Sequence, residues 1–285
     1  MDALLPSQMA ERAETIGVAK ASMDAPRLFV LAVLAGAFIA LGAAFATTAL
    51  AGSATLPWGP ARVLGGVAFS LGLILVVVGG AELFTGNNLI VMAWASGRVS
   101  TRALLRNWAI VFAGNFAGAA ATALAVCLAG TARGGNGAFG EAAFAIVQAK
   151  LALHPIQAVV LGMLGNALVC LAVWLGYSAR TTADRILAIV PPISAFVAAG
   201  FEHSVANMYF VPYAIFVTAL DPEWARAHAP AAGAGAPTWS AFLVRNLAPV
   251  TLGNIIGGAV LVGAVYWFVY LRGRPAPKRA TGREP

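Results

Sequence analysis

The chain has 285 residues, of which 60% are apolar or aromatic and 10% are charged, and it carries a formal net charge of +7. A soluble domain carries about 25% charge, so this composition excludes an ordinary soluble enzyme. The basic residues flank apolar blocks instead of clustering on one face, which excludes a nucleic-acid partner and makes lipid the surroundings.

Residues 1–27 hold Asp2, Glu11, Glu14 and Asp24, the wrong charge sign for a cleaved signal peptide. They predict a short helix on the cytoplasmic surface. Uncharged runs follow at 28–50, 63–81 with 83–97, 107–132, 151–179, 186–201 with 204–220, and 246–271. A hydrocarbon core takes roughly 20 helical residues to cross, so the runs predict an all-α membrane protein of six transmembrane helices, spans two and five interrupted. The whole chain reads as a single transmembrane domain, with residues 272–285 as a tail. Of the 18 basic residues, 13 lie on the sides shared with the two termini and 5 on the other. The positive-inside rule then makes both termini cytoplasmic, in a bacterial-type inner membrane. Trp94, Trp108, Trp174, Tyr177, Tyr266, Trp267 and Tyr270 fall at the predicted cytoplasmic ends, as an interfacial belt would. The Ala/Gly/Pro-rich stretch 229–237 predicts an external loop. Cys127 and Cys170 sit inside apolar runs without metal-ligand spacing and read as small core residues.

The two halves repeat. Residues 106–118 align without a gap on 245–257 in the pattern R-N-x-A-x-V-x-x-G-N-x-x-G. Gly80-Ala81-Glu82 with Asn87 matches Gly200-Phe201-Glu202 with Asn207. Three spans per half send the second half in from the opposite side, so 28–132 and 151–271 form an inverted repeat. Paired glycine-interrupted spans in such a repeat point to a midplane permeation site, because freed backbone is tolerated there only beside a cavity or under protein.

Glu82, Glu202 and His203 are the ionisable side chains placed deep in the runs, each at a break. Ionisable groups at that depth are functional candidates by default. The two glutamates are symmetry-related and read as braces accepting from freed N–H groups. His203 has no counterpart, since Leu83 holds its place in the first half. A lone histidine is ordinarily a hydrogen-bonded core residue, but at an asymmetric midplane break its neutral-range titration suits proton exchange with a permeant. Segment 83–88 has a Thr-Gly-Asn composition that suits a non-helical turn, where Thr85 is placed to donate to a passing anion. Lys150 reads either as a snorkelling side chain at the end of span four or as a charge at a pore mouth.

The segments GAELFTGN, FEHSVANM and LGNIIGGA, with SLGLIL before the first and the Lys150–Asn166 spacing, resemble the formate/nitrite transporter family, above all its formate channels. The resemblance runs from about Leu4 to Leu271. It implies a homopentamer of aquaporin-like protomers, each with its own pore for a weak-acid anion. It implies further that His203 is the central pore histidine and that Thr85 lies on a mobile loop breaking span two. Leu73, Leu83, Phe84 and Val169 match a cytoplasmic-side constriction, and Phe69 and Phe196 a periplasmic-side one. Lys150 and Asn166 match the periplasmic vestibule, while Glu202, Asn207, Asn115 and Asn254 match groups bracing the breaks.

Function follows as passage of a small monovalent weak-acid anion, formate or nitrite, together with a proton. Protonating a carboxylate of pKa near 4 at pH 7 costs about 4–5 kcal/mol, and desolvating the bare ion in an apolar constriction costs several kcal/mol. Crossing as the neutral acid is therefore competitive. An intramembrane acid/base enzyme built on Glu202 and His203 is a remote alternative, since no G-x-S-x-G, H-E-x-x-H or ligand cluster is present. His154, His203 and His228 are scattered, so neither haem nor another cofactor or metal is expected.

Overall fold

The computed structural model describes residues 3–228 and 237–273, and helices are the regular elements among them. Helix α1 (Pro6–Ser22) precedes α2 (Ala25–Leu50) and α3 (Trp58–Gly79). After a break come the short helices α4 (Phe84–Asn87) and α5 (Val91–Ala95), joined by a 3₁₀ turn at Asn88–Ile90. Then follow α6 (Thr101–Leu128), α7 (Ala138–Leu151), α8 (Pro155–Ser178) and α9 (Thr182–Ala198). A second break separates α9 from α10 (Ser204–Leu220). The short α11 (Pro222–His228) precedes α12 (Ala241–Tyr270) among the described residues. Five of these helices, α2, α3, α6, α8 and α12, are long and apolar enough to cross a membrane, and α10 is a shorter apolar helix.

Local sequence explains where the helices start and stop. Side chains of Asp24, Ser100 and Thr181 accept from the backbone N–H of Arg27, Ala103 and Asp184, satisfying first-turn donors. Gly80 (φ 79°) and Gly200 (φ 75°) end α3 and α9 in the left-handed region, where a side chain would be strained. Small residues then let the long helices approach. A Cβ added at Gly36 or Gly118 would collide with backbone across the α2–α6 contact, and one at Gly253 or Gly257 across the α8–α12 contact. In lipid, where apolar burial gives little drive between helices, such close backbone approach is what packs them.

Several expectations change. The amino-terminal helix does not merely lie on the surface: Ala10, Ala13, Gly17 and Ala21 are buried under the bundle. Arg12 Nη1 donates to Tyr177 O at 3.1 Å, and Glu14 pairs with Arg98 at 2.7 Å. Trp174 is only 4% exposed and stacks on Tyr266 at 4.0 Å, within a cluster that holds Met9 and Ala10 of α1. Part of the expected interfacial belt is therefore the seat of α1. Of segment 83–88, residues 84–88 are helical instead of a turn, because the break falls earlier, at residues 80–83. Lys150 belongs to the last turn of α7, a helix the run pattern missed, since α8 begins only at Pro155. Residues 229–236 of the expected external loop, and 274–285 of the tail, lie outside the described residues.

Candidate functional site

The two breaks are built from duplicated hydrogen bonds. At the first, Glu82 N donates to Leu31 O at 3.2 Å, and Phe84 N donates to Asn115 Oδ1 at 2.9 Å. Asn115 Nδ2 donates to Ala32 O and Glu82 O at 2.7 and 3.0 Å. At the second, Glu202 N donates to Leu161 O at 3.1 Å, and Ser204 N to Asn254 Oδ1 at 2.9 Å. Asn254 Nδ2 donates to Gly162 O and Glu202 O at 2.8 and 3.1 Å. Backbone groups freed by the breaks are thus met by asparagines and neighbouring carbonyls, as burial away from water demands.

This corrects the reading of the glutamates, whose carboxylates accept from side chains and not from freed N–H groups. Glu82 accepts from Lys20 Nζ at 2.8 Å and from Asn87 Nδ2 at 2.8 Å. Glu202 accepts from Lys150 Nζ at 2.7 Å and from Asn207 Nδ2 at 2.6 Å. Asn87 and Asn207 also donate to Asn107 and Asn246, which in turn donate to the carbonyls of Lys20 and Lys150. A carboxylate at this depth is stabilised by a cation and an amide that satisfy its lone pairs.

Between the breaks the symmetry fails. His203 caps α10: its Nδ1 accepts from Ala206 N at 3.1 Å, and its Nε2 lies 2.9 Å from Thr85 Oγ1. Both side chains are buried. An Nδ1 that accepts leaves the neutral ring's proton on Nε2, so Nε2 donates to Thr85 Oγ1 and the threonine hydroxyl keeps its own proton to give. Their counterparts in the opposite halves, Leu83 for His203 and Val205 for Thr85, are apolar. Asn166 Nδ2 approaches Thr85 O at 3.3 Å, Asn88 Oδ1 at 2.8 Å and Asn254 O at 2.7 Å, and Cys170 Sγ donates to Thr85 O at 3.3 Å. Asn166 is therefore a buried interior group seated behind Thr85, and it lines neither of the cavities below, in contrast to the expected vestibule position.

Two cavities approach this pair. One, of about 250 Å³, is lined by Lys20, Glu82, Asn87, Leu73 and Leu83 among others. The other, of about 190 Å³, is lined by Lys150, Glu202, Phe69, Phe196 and His203 among others. Phe69 and Leu73 lie one turn apart on α3 and face different cavities, so the apolar partition there is only about 6 Å deep along the helix. Phe69 and Phe196 meet edge to face at 5.6 Å, and Phe196 lies 5.9 Å from the His203 ring. Phe84 packs on Trp108 and Phe112, and Val169 is buried; neither lines these two cavities.

The structure thus gathers Thr85, His203, Leu73, Leu83, Phe69 and Phe196 at the partition and puts one lysine–glutamate pair in each cavity. Sequence reasoning missed Lys20, Asn107, Asn246, Asn88 and Arg62. A signal for Lys20 was present, because the chain has only three lysines, Lys20, Lys150 and Lys278. Lys20 stands as far before Leu31 as Lys150 does before Leu161.

Comparison with known proteins gives a consistent picture. The family model described as formate/nitrite transporter matches residues 7–268. The chain is 45% identical over 273 residues to the formate channel FocA of Escherichia coli (strain K12), covering 95% of this chain and 96% of that one. It is 39% identical over 276 residues to the formate channel FocB of the same strain, covering 96% and 98%. A solved structure described as a pentameric formate channel with formate bound superposes with a TM-score of 0.81 at 44% identity, covering 87% of this chain and 98% of that one.

Proposed function

This chain belongs to the formate/nitrite transporter family, a multi-pass membrane transport protein and not an enzyme, and we propose that formate, with a proton, is what it carries. The observation that carries the reading is the buried Thr85–His203 contact, set between two cavities that each hold a lysine. Formate is favoured over nitrite by the names of the relatives, and a homopentamer by the similar pentameric channel. The duplicated break frames support an inverted repeat of six spans, the fifth being α9 with α10. Basic residues support cytoplasmic termini in an inner membrane; the Lys20 cavity then opens to the cytoplasm and the Lys150 cavity to the outside.

In this reading Lys150 and Lys20 draw the anion into either cavity, and Leu73 with Leu83, and Phe69 with Phe196, strip its water. The Thr85 hydroxyl donates to an anion oxygen. Proton loading of His203 takes place at Nδ1 and competes with the Ala206 N–H that Nδ1 now accepts, so the ring must release its cap to charge. The imidazolium then gives its Nε2 proton to Thr85 Oγ1 while the threonine gives its own to formate. Neutral formic acid crosses the partition and returns the proton to water beyond it. Phe84 and Val169 back the partition, and Glu82, Glu202, Asn207, Asn115 and Asn254 hold the breaks that present Thr85 and His203.

The test is uptake of labelled formate, nitrite, acetate and chloride by proteoliposomes at two pH values. Formate uptake that rises with an imposed inward proton gradient, with chloride excluded, is expected; equal chloride and formate flux overturns the reading.

A further inference from the structure

The cavity beside Lys150 holds a second cation, Arg62 of α3. Its guanidinium donates from Nη2 to Val197 O at 2.6 Å and from Nε to Ala198 O at 3.2 Å. These are the last carbonyls of α9, and Val197, Gly200 and Phe201 line the same cavity. A helix carboxyl end carries about half a negative elementary charge, so α9 would turn a repulsive pole toward any anion approaching Phe196 and His203. Arg62 lies over that pole. Gly200 leaves room for it, since a Cβ there would lie 3.3 Å from Nη2. A guanidinium has five N–H donors; those not given to α9 find no partner among the described residues. At the other break Arg185 lines the Lys20 cavity together with Val76, Val77 and Gly80, but no arginine hydrogen-bonds the last carbonyls of α3 among the described residues, and the position matching Arg62 is Thr182.

We infer that Arg62 is an anion-capture residue in the Lys150 cavity. It cancels the negative end of α9 and keeps guanidinium donors free to hold the anion beside Lys150 before it meets Phe196. The inference rests on the anion-transport reading above.

Labelled-formate uptake into proteoliposomes tests it with Arg62→Gln and Arg62→Lys, each measured at subsaturating and saturating formate and at low and high ionic strength. Arg62→Gln is expected to lose on the order of tenfold at subsaturating formate and low salt, with the saturated rate within about twofold of the parent. The deficit should shrink as salt rises. Arg62→Lys, which keeps the charge without the fork, should recover most of it. Arg62→Gln equal to the parent overturns the inference. Equal losses in both variants at both salt levels, with a lowered unfolding temperature, also overturn it and leave Arg62 a mere brace. Where Arg62→Gln does not assemble, Arg62→Lys decides: a parental salt profile supports the inference and a flattened one overturns it. Parent protein that takes up no formate in these vesicles overturns the transport reading instead.

Discussion

The Lys20 and Lys150 clusters share a frame and differ in one bond. Lys20 Nζ reaches both Glu82 Oε1 and Asn87 Oδ1, whereas Lys150 Nζ reaches Glu202 Oε1 and sits 5.4 Å from the Phe210 ring centre. Asn207 Oδ1 is left buried without a partner. Lys20 arrives on α1 as Lys150 does on α7, each helix standing just ahead of its half, and the second bond of Lys20 makes it a latch. Lys150 keeps more of its donor capacity for something that comes and goes. Bonds common to both halves build the scaffold, and departures from them, His203 for Leu83, Thr85 for Val205 and Asn166 for Gly36, mark what is needed once.

The largest effects should come from the shared frame. Asn115→Ala and Asn254→Ala each orphan a buried N–H and the carbonyl of Glu82 or Glu202, at about 1–3 kcal/mol for each unsatisfied group. Thermal unfolding in detergent and the yield of assembled protein should fall by similar amounts for the two; a loss confined to one half breaks the equivalence.

The lysines should then separate. Lys20→Gln leaves Glu82 without its cation and should loosen α1, raising hydrogen exchange over residues 6–22, with a stability loss of about 1–3 kcal/mol. Lys150→Gln should leave α1 exchange unchanged and slow uptake at low formate in a salt-dependent way. Equal α1 exchange in the two variants would erase the distinction.

Thr85→Val keeps the shape and removes the hydroxyl, so conduction should drop roughly 5- to 150-fold, the rate equivalent of about 1–3 kcal/mol. Thr47→Val is the control, because Thr47 donates only to Ala43 O of its own helix. Matching effects would make Thr85 a packing residue.

The smallest effect belongs to a contact between the second half and the segment that joins the two halves. Arg133 holds the Asp221 carboxyl below its usual range, chiefly through their hydrogen bond. The contribution of a lowered carboxylate is present above its ordinary pKa and lost as pH falls through the folded value. Asp221→Asn should therefore flatten a shallow acid-side slope in unfolding temperature and leave transport unchanged, as fits an exposed pair.

Much of this was legible in the chain. The apolar runs and their glycine breaks follow from composition alone, and the Glu-Asn pairs and the 106–118 repeat exposed the two halves before any contact was known. The run pattern hid α7, since periodicity reports polarity and not helix ends, and it hid the docking of α1, whose buried face is made of Ala and Gly and carries little apolar signal. Asn166 was placed in a vestibule by the family resemblance, yet its amide is spent on Thr85 O, Asn88 and Asn254. Arg62 gave no sign, for its partners are backbone carbonyls at the end of another helix.

The central reading, that the asymmetric His203 exchanges a proton with the permeant, is tested most directly by following internal pH and labelled formate in the same vesicles for the parent and His203→Asn. Asparagine keeps polarity and cannot titrate. The account predicts that parent uptake brings one proton per formate and that the variant loses coupling to an imposed pH gradient while remaining assembled. A variant that still carries one proton per formate at the parental rate would contradict it and make His203 a cap for α10 alone.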